Sequence, residues 1–201
     1  MRSPLKALRV FTILLAALLV STSAFAQSTT LQLHEDSELW IDGTSNRSDW
    51  TVYASDIEGT IVLSEDGSNA RVEQATITVP AGELVSRKSS IMDRLMYGAL
   101  QVSEHPTVRF VLDDPGAGPS QVDGDSFSLV ANGQLTLAGE TQDITMEVTG
   151  EHLEDGRVRF TGSYPLTMSD YGISPPTAMF GSLRTGDAVV VHFNVVGAPS
   201  N

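Results

Sequence analysis

The stretch SFSLVANGQLTLAGETQDITMEV, residues 126–148, decides the fold. Phe127 and Leu129 alternate with polar neighbours, and Leu135 and Leu137 do the same. Ile144, Met146 and Val148 resume the pattern after Ala138-Gly139-Glu140. A period of two puts these side chains on one face of an extended chain, and the glycine-containing break supplies a turn.

The same rhythm continues in both directions. Leu39 and Ile41 share a face, as do Ala75, Ile77 and Val79, then Val108, Phe110 and Leu112. Val158 and Phe160 follow, and Val189, Val191, Phe193 and Val195 close the chain. Turn chemistry separates the runs at Glu65-Asp66-Gly67, Asp113 to Gly118, Asp123-Gly124-Asp125 and Glu154-Asp155-Gly156. Many short strands at this spacing predict an all-β sandwich or barrel. Two segments depart from it. Ser89 to Gln101 reads as a helix, with Ser89 or Ser90 as its cap, Ile91, Leu95 and Ala99 on one stripe, and Met92, Met96 and Leu100 beside them. Met168 to Arg184 holds Gly172, Pro175, Pro176 and Gly181 and reads as an irregular loop. Gln27 to Asp36 reads as a loose, flexible N-terminus. No repeat or second domain interrupts residues 37–198.

The first 26 residues read as a leader. Arg2, Lys6 and Arg9 are basic, Val10 to Val20 is apolar, and Ala24-Phe25-Ala26 offers a small-x-small cleavage pattern. The apolar run falls short of the roughly 20 residues a membrane span needs. Cleavage predicts a periplasmic or secreted product with no stable membrane insertion. No cysteine is present, so the expected compartment's disulfides are unused and thiolate chemistry is excluded.

The leader would take three of the 12 basic residues and none of the 25 acids. That leaves nine against 25, a net charge of −16 on the remaining 175 residues. Nucleic acid, which needs a basic stripe, is excluded as a partner. An acidic surface of this kind repels itself and stays soluble. It also fits a salty medium, a reading that flat unfolding midpoints across a salt series would exclude.

Catalytic and metal signatures are lacking. His34, His105, His152 and His192 are scattered singly, whereas a zinc site needs about four converging ligands. An EF-hand reading of Asp123-Gly124-Asp125 puts Gln134 where glutamate belongs. There is no G-x-S-x-G elbow and no glycine-rich phosphate loop before a helix. The chain therefore reads as a non-enzyme with no cofactor, apart from whatever lipid or quinone it binds.

Methionine is placed unevenly. Met92, Met96, Met168 and Met179 lie in the two non-strand segments, and only Met146 lies in a strand. Methionine adapts to apolar partners of variable shape, and a barrel of about eight strands just holds one small ligand. Ordinary core filling explains the same residues equally well. Arg87, Lys88 and Arg94 cluster at the helix start, where a cation is mildly disfavoured. They are candidates for meeting a polar or anionic headgroup, or an anionic membrane face.

Several motifs, in order, resemble the YceI family of secreted, lipocalin-like polyisoprenoid-binding proteins. They are Met92-Asp93-Arg94 to Leu100, His105-Pro106-Thr107-Val108-Arg109-Phe110, Asn132 to Thr141, Asp170-Tyr171-Gly172-Ile173, and Gly186-Asp187-Ala188-Val189 to Phe193. The resemblance runs from about Ser37 to Gly197. In one respect the chain departs from the pattern: residues 43–50 keep Trp50 but lack the histidine many members carry there. The resemblance implies an eight-stranded antiparallel barrel whose cavity holds an isoprenoid chain such as a quinone or polyprenyl tail, and it makes a homodimer plausible. The expected lipid contacts are Met92, Leu95, Met96, Leu100, Phe110, Tyr171, Ile173, Met179 and Phe180, with Arg87, Lys88 and Arg94 at the headgroup. The competing reading is a secreted interaction module whose barrel is filled by its own side chains.

Overall fold

The computed structural model describes residues 27–54, 56–66, 69–87, 89–114 and 120–200; the leader expected over residues 1–26, and Lys88, lie outside them. Eight strands run in chain order around a closed antiparallel barrel. Strand β1 is Gln27–Leu33 continued by Glu38–Ser45, and β2 is Trp50–Ala54 continued by Glu58–Asp66. Strand β3 is Asn69–Pro80, extended past a 3₁₀ turn by Leu84–Val85, and β4 is Thr107–Asp114 continued by Ser120–Asp123. Then come β5 (Ser126–Leu137), β6 (Glu140–His152), β7 (Val158–Thr167) and β8 (Leu183–Pro199). Each strand pairs with the next. Strand β8 closes the ring on both halves of β1, with Phe193 opposite Leu39 and Gly197 opposite Leu33.

The alternating residues face inward throughout, because a closed barrel has one dry face and the pleat sends every second side chain to it. The stretch 126–148 becomes the β5–β6 hairpin. Ala138 and Gly139, with φ of 50° and 85°, form its two-residue turn. Positive φ at both central positions matches the twist of the flanking strands.

The loose N-terminus expected over Gln27 to Asp36 is corrected here. Gln27–Leu33 is a strand held between β2 and β8, and Leu31 is 1 % exposed. Only Leu31 and Leu33 face the core from a mostly polar run, so local pattern gave little sign of it. The strand is made by pairing with segments far away in sequence.

The two ends of the barrel differ. One carries the 46–49 turn, the β3–β4 connection, the Ala138-Gly139 turn and the β7–β8 connection. The opposite end, the base, carries both termini of the described chain and is packed shut by Leu31, Leu63, Phe127 and Phe160. An ion cluster outside the base joins Arg157 to Asp36 at 2.6 Å and to Asp155 at 2.7 Å. Hydrogen bonds from Arg157 hold both carboxyls below the usual carboxylate range.

Candidate functional site

Above the packed base, the barrel encloses a cavity of ≈ 240 Å³. Its wall runs from Val72, Phe160 and Val195 up to Leu84, Leu137 and Val189 near the mouth. Among the described residues every lining side chain is apolar, and only those of Trp50 and Tyr164 carry a nitrogen or oxygen. Trp50 spends its Nε1–H on Thr44 O at 2.8 Å, so that donor is taken. A wall of this chemistry recognises apolar length and shape rather than hydrogen-bonding pattern.

Glycine shapes the bore. Four inward rings occupy the places of missing Cβ atoms on neighbouring strands: Trp50 at Gly43, Phe110 at Gly133, Phe127 at Gly150 and Phe193 at Gly162. A Cβ at any of these glycines would lie 2.1 to 2.7 Å from ring atoms. The rings pack into the wall, which leaves the axis open above Phe127.

Two elements roof the mouth. The first is helix α1 (Ser90–Ala99), capped by Ser89, whose Oγ accepts from Ile91 N–H at 3.3 Å. Asp93 Oδ1 accepts from Ser86 N–H at 2.8 Å, and Tyr97 O–H donates to Leu84 O at 2.8 Å. These bonds tie the helix to the end of β3 and turn Met96 and Leu100 into the cavity. The second element is the turn Met168–Tyr171 with Gly172 and Ile173, where Met168 and Ile173 line the cavity. Ser169 anchors the turn, its N–H donating to Asp187 Oδ1 at 2.9 Å.

The structure divides the residues singled out in the sequence. Met96, Leu100, Phe110 and Ile173 lie on the cavity wall; Met92 and Leu95 do not. Tyr171 packs behind the wall, 3 % exposed, with its hydroxyl buried and without a partner among the described residues. Burial pushes its phenol up to about 12, helped by Tyr164 and Asp170. Met179 and Phe180 are not on the cavity wall and face solvent, at 63 % and 113 % exposure. Their left-handed φ angles of 52° and 54° turn the chain outward at that point. Arg87 lies on the outside of the barrel. Its guanidinium lies 4.0 Å from the Tyr53 ring centroid, and Tyr53 alternates with the cavity-lining Val52, so Arg87 stacks on the outer wall. Arg94 is exposed.

Apart from Phe110, the contacts expected from the sequence lie between Met92 and Leu100 and between Tyr171 and Phe180, whereas the cavity runs down the barrel. It missed Leu39, Ile77, Leu112, Leu129, Met146 and Phe193 as site residues. The signal was present, since each sits on an alternating face already identified as inward.

The histidines stand apart. His34 contacts Asp36, His152 contacts Glu65 at 2.8 Å, and His192 contacts Asp42 while stacking on Trp40. His105 packs over Gly139. Among the described residues, no three His, Asp or Glu side chains converge on a metal position. A second hollow, lined by Gln32, His34, Glu35, Asp56, Glu58 and Thr60 among others, opens on the outer wall where β1 and β2 are interrupted.

Comparison with solved structures gives the same fold at low identity. A polyisoprenoid-binding domain from Saccharophagus degradans, implicated in plant cell wall breakdown, superposes with a TM-score of 0.65 at 12 % identity, covering 87 % of this chain and 100 % of that one. BcnA of Burkholderia cenocepacia gives 0.61 at 15 %, covering 81 % and 96 %. A YCEI protein of Campylobacter jejuni gives 0.54 at 16 %, covering 75 % and 84 %. No protein of curated function matches the chain. The model of the YceI-like domain matches residues 28–197, from the start of β1 almost to the end of β8, and the chain belongs to that family.

Proposed function

We propose that this protein binds a long apolar lipid of the isoprenoid type, a quinone or polyprenyl tail, inside the barrel, and carries or sequesters it. One observation carries the reading: a cavity extended along the barrel axis with an unbroken apolar wall. An isoprenoid tail offers no polar group, so it loses no hydrogen bonds on entering. Its burial is favourable by roughly 25 cal/mol per Å² of apolar surface. The Saccharophagus degradans domain of the same fold is a polyisoprenoid-binding one, which supports the same class of ligand. In this reading Met96, Leu100, Phe110 and Ile173 touch the tail, and the polar end stays beneath the roof.

The reading is of binding, not catalysis. Among the described residues the wall carries no carboxylate, imidazole or amine that could act as acid or base. A barrel filled by its own side chains, as an interaction module would have, fits the open bore less well. The basic, apolar and small-residue order of residues 1–26 supports a periplasmic or secreted location, and N-terminal sequencing of the exported chain is expected to begin at Gln27.

The test is organic extraction of the natively purified protein from a quinone-producing host, followed by mass spectrometry. An isoprenoid lipid near one per chain is expected. A cavity that yields no lipid under those conditions overturns the reading.

A further inference from the structure

The β7–β8 connection reaches solvent through an unusual tip, Ala178-Met179-Phe180-Gly181. Both apolar side chains are open, and Phe180 is more exposed than it would be in an extended chain, at 113 %. Both residues hold a left-handed backbone, with φ of 52° and 54°, which side chains larger than glycine rarely adopt. Nothing in the barrel's packing repays either feature.

The tip is nevertheless built. Ser182 donates to Met179 O from its N–H at 3.2 Å and from Oγ at 2.8 Å. Arg184 Nε donates to Gly181 O at 3.0 Å. Asn46, from the β1–β2 turn, donates Nδ2–H to Ser182 O at 2.9 Å and accepts from Arg184 N–H at 3.0 Å. Strained residues presenting apolar surface on a braced scaffold mark a place where that surface is used.

We propose that Met179 and Phe180 form a membrane wedge that dips into the surface of a lipid bilayer and seats the mouth of the barrel on it. Position favours a bilayer over a protein partner. The tip stands at the mouth end, the side from which a lipid would reach the cavity, since the base is packed shut. Two side chains fall far below the roughly 800 Å² per partner that a stable protein interface buries. An aromatic side chain is at home in the interfacial zone of a bilayer.

Charge is suited to phosphate headgroups. Arg47 and Arg184 flank the tip, are exposed, and make no ion pair among the described residues, although Asp49 shares Arg47's turn. At the base, by contrast, Arg157 and Arg159 are occupied by Asp36, Asp155 and Glu151. The chain as a whole carries −13, so the wedge must work by apolar insertion and not by general attraction to an anionic surface. The proposal rests on the lipid-binding reading only for its choice of a lipid surface.

Purified protein is mixed with vesicles of phosphatidylethanolamine, with or without phosphatidylglycerol, and sedimented. Wild type is expected to partition onto both at low and high salt. Met179→Ser/Phe180→Ser is expected to lower partitioning at least about tenfold, as losing the burial of two large apolar side chains requires, with an unchanged melting temperature. Phe180→Trp should show an emission blue shift when vesicles are added. Equal partitioning of wild type and double variant overturns the wedge, as does absence of wild-type binding. A vesicle-free dimer that the double variant abolishes also overturns it and makes the tip a self-interface. Ala75→Phe, which fills the cavity, should bind vesicles as wild type does. A wedge that works while extraction yields no lipid therefore fails the cavity reading alone.

Discussion

Tyr171 is a buried phenol with no hydrogen-bond partner among the described residues, and such a group costs about 1–3 kcal/mol of desolvation. Replacing it with phenylalanine keeps the ring and removes the orphan. Tyr171→Phe is therefore expected to leave stability at neutral pH unchanged or raise it by about 1 kcal/mol, read by denaturant unfolding. The pH dependence gives a second check. The folded phenol sits near 12 and the ordinary one at 10.0, so above pH 10 the unfolded chain releases its proton first. Stability present below pH 10 is then lost progressively as pH rises toward 12, and Tyr171→Phe should flatten that decline. Gly133 makes an opposite case. A Cβ there would lie 2.3 Å from Val111 O and 2.7 Å from the Phe110 ring, and the carbonyl cannot rotate away. Gly133→Ala is expected to cost about 1–3 kcal/mol and to lower the melting temperature. At this scale the sequence misleads most where backbone decides. Met179 and Phe180 look like lipid contacts by hydrophobicity, and only their exposure in the folded chain, on a left-handed backbone, shows that they face solvent.

At the scale of elements, α1 is the lightly held part of the roof. None of its residues is fully buried, and it is fastened by the Ser89 cap, the Asp93 bond to Ser86 N–H and the Tyr97 bond to Leu84 O. Elements with few buried contacts open at low cost. Tyr97→Phe removes one tie worth about 0.5–1.5 kcal/mol. Hydrogen exchange in Ser90–Ala99 should then quicken by up to about tenfold, while the β5–β6 hairpin amides keep their protection. A uniform loss of protection would show instead that the helix opens only with the whole barrel. The helix was legible from its cap and apolar stripe, and the expected span Ser89–Gln101 exceeds the observed Ser90–Ala99 only at its ends. Strands with clean alternation were equally legible. The first half of β1 was not, since only two of its residues face inward, and neither was β2, whose run is interrupted near Asp56.

For the molecule as a whole, stability and capacity compete for the same space. The cavity leaves ≈ 240 Å³ unfilled in the middle of the core. Filling it should separate the two. Ala75 lines the bore, and Ala75→Phe adds a ring where there is room. We expect it to keep the fold, to change stability by no more than about 1 kcal/mol, and to lose its extractable lipid severalfold. Added lipid should raise the melting temperature of the stripped wild type and leave the variant unmoved, as mass action requires.

Closure of the ring through β8 and β1 also sets a timetable. Seven of the eight strand pairings join neighbours in the chain, and contacts between segments close in sequence form early. The eighth joins residues 31–33 and 38–45 to residues 185–199, the last of the eight barrel strands in chain order. Until that strand leaves the ribosome the sheet is an open, curled ribbon with an apolar face and two bare edges, and it encloses nothing. A nascent chain therefore has no cavity to fill. Loading can only follow emergence of residues 185–199, and a chain stopped before them exposes the edges through which sheets aggregate.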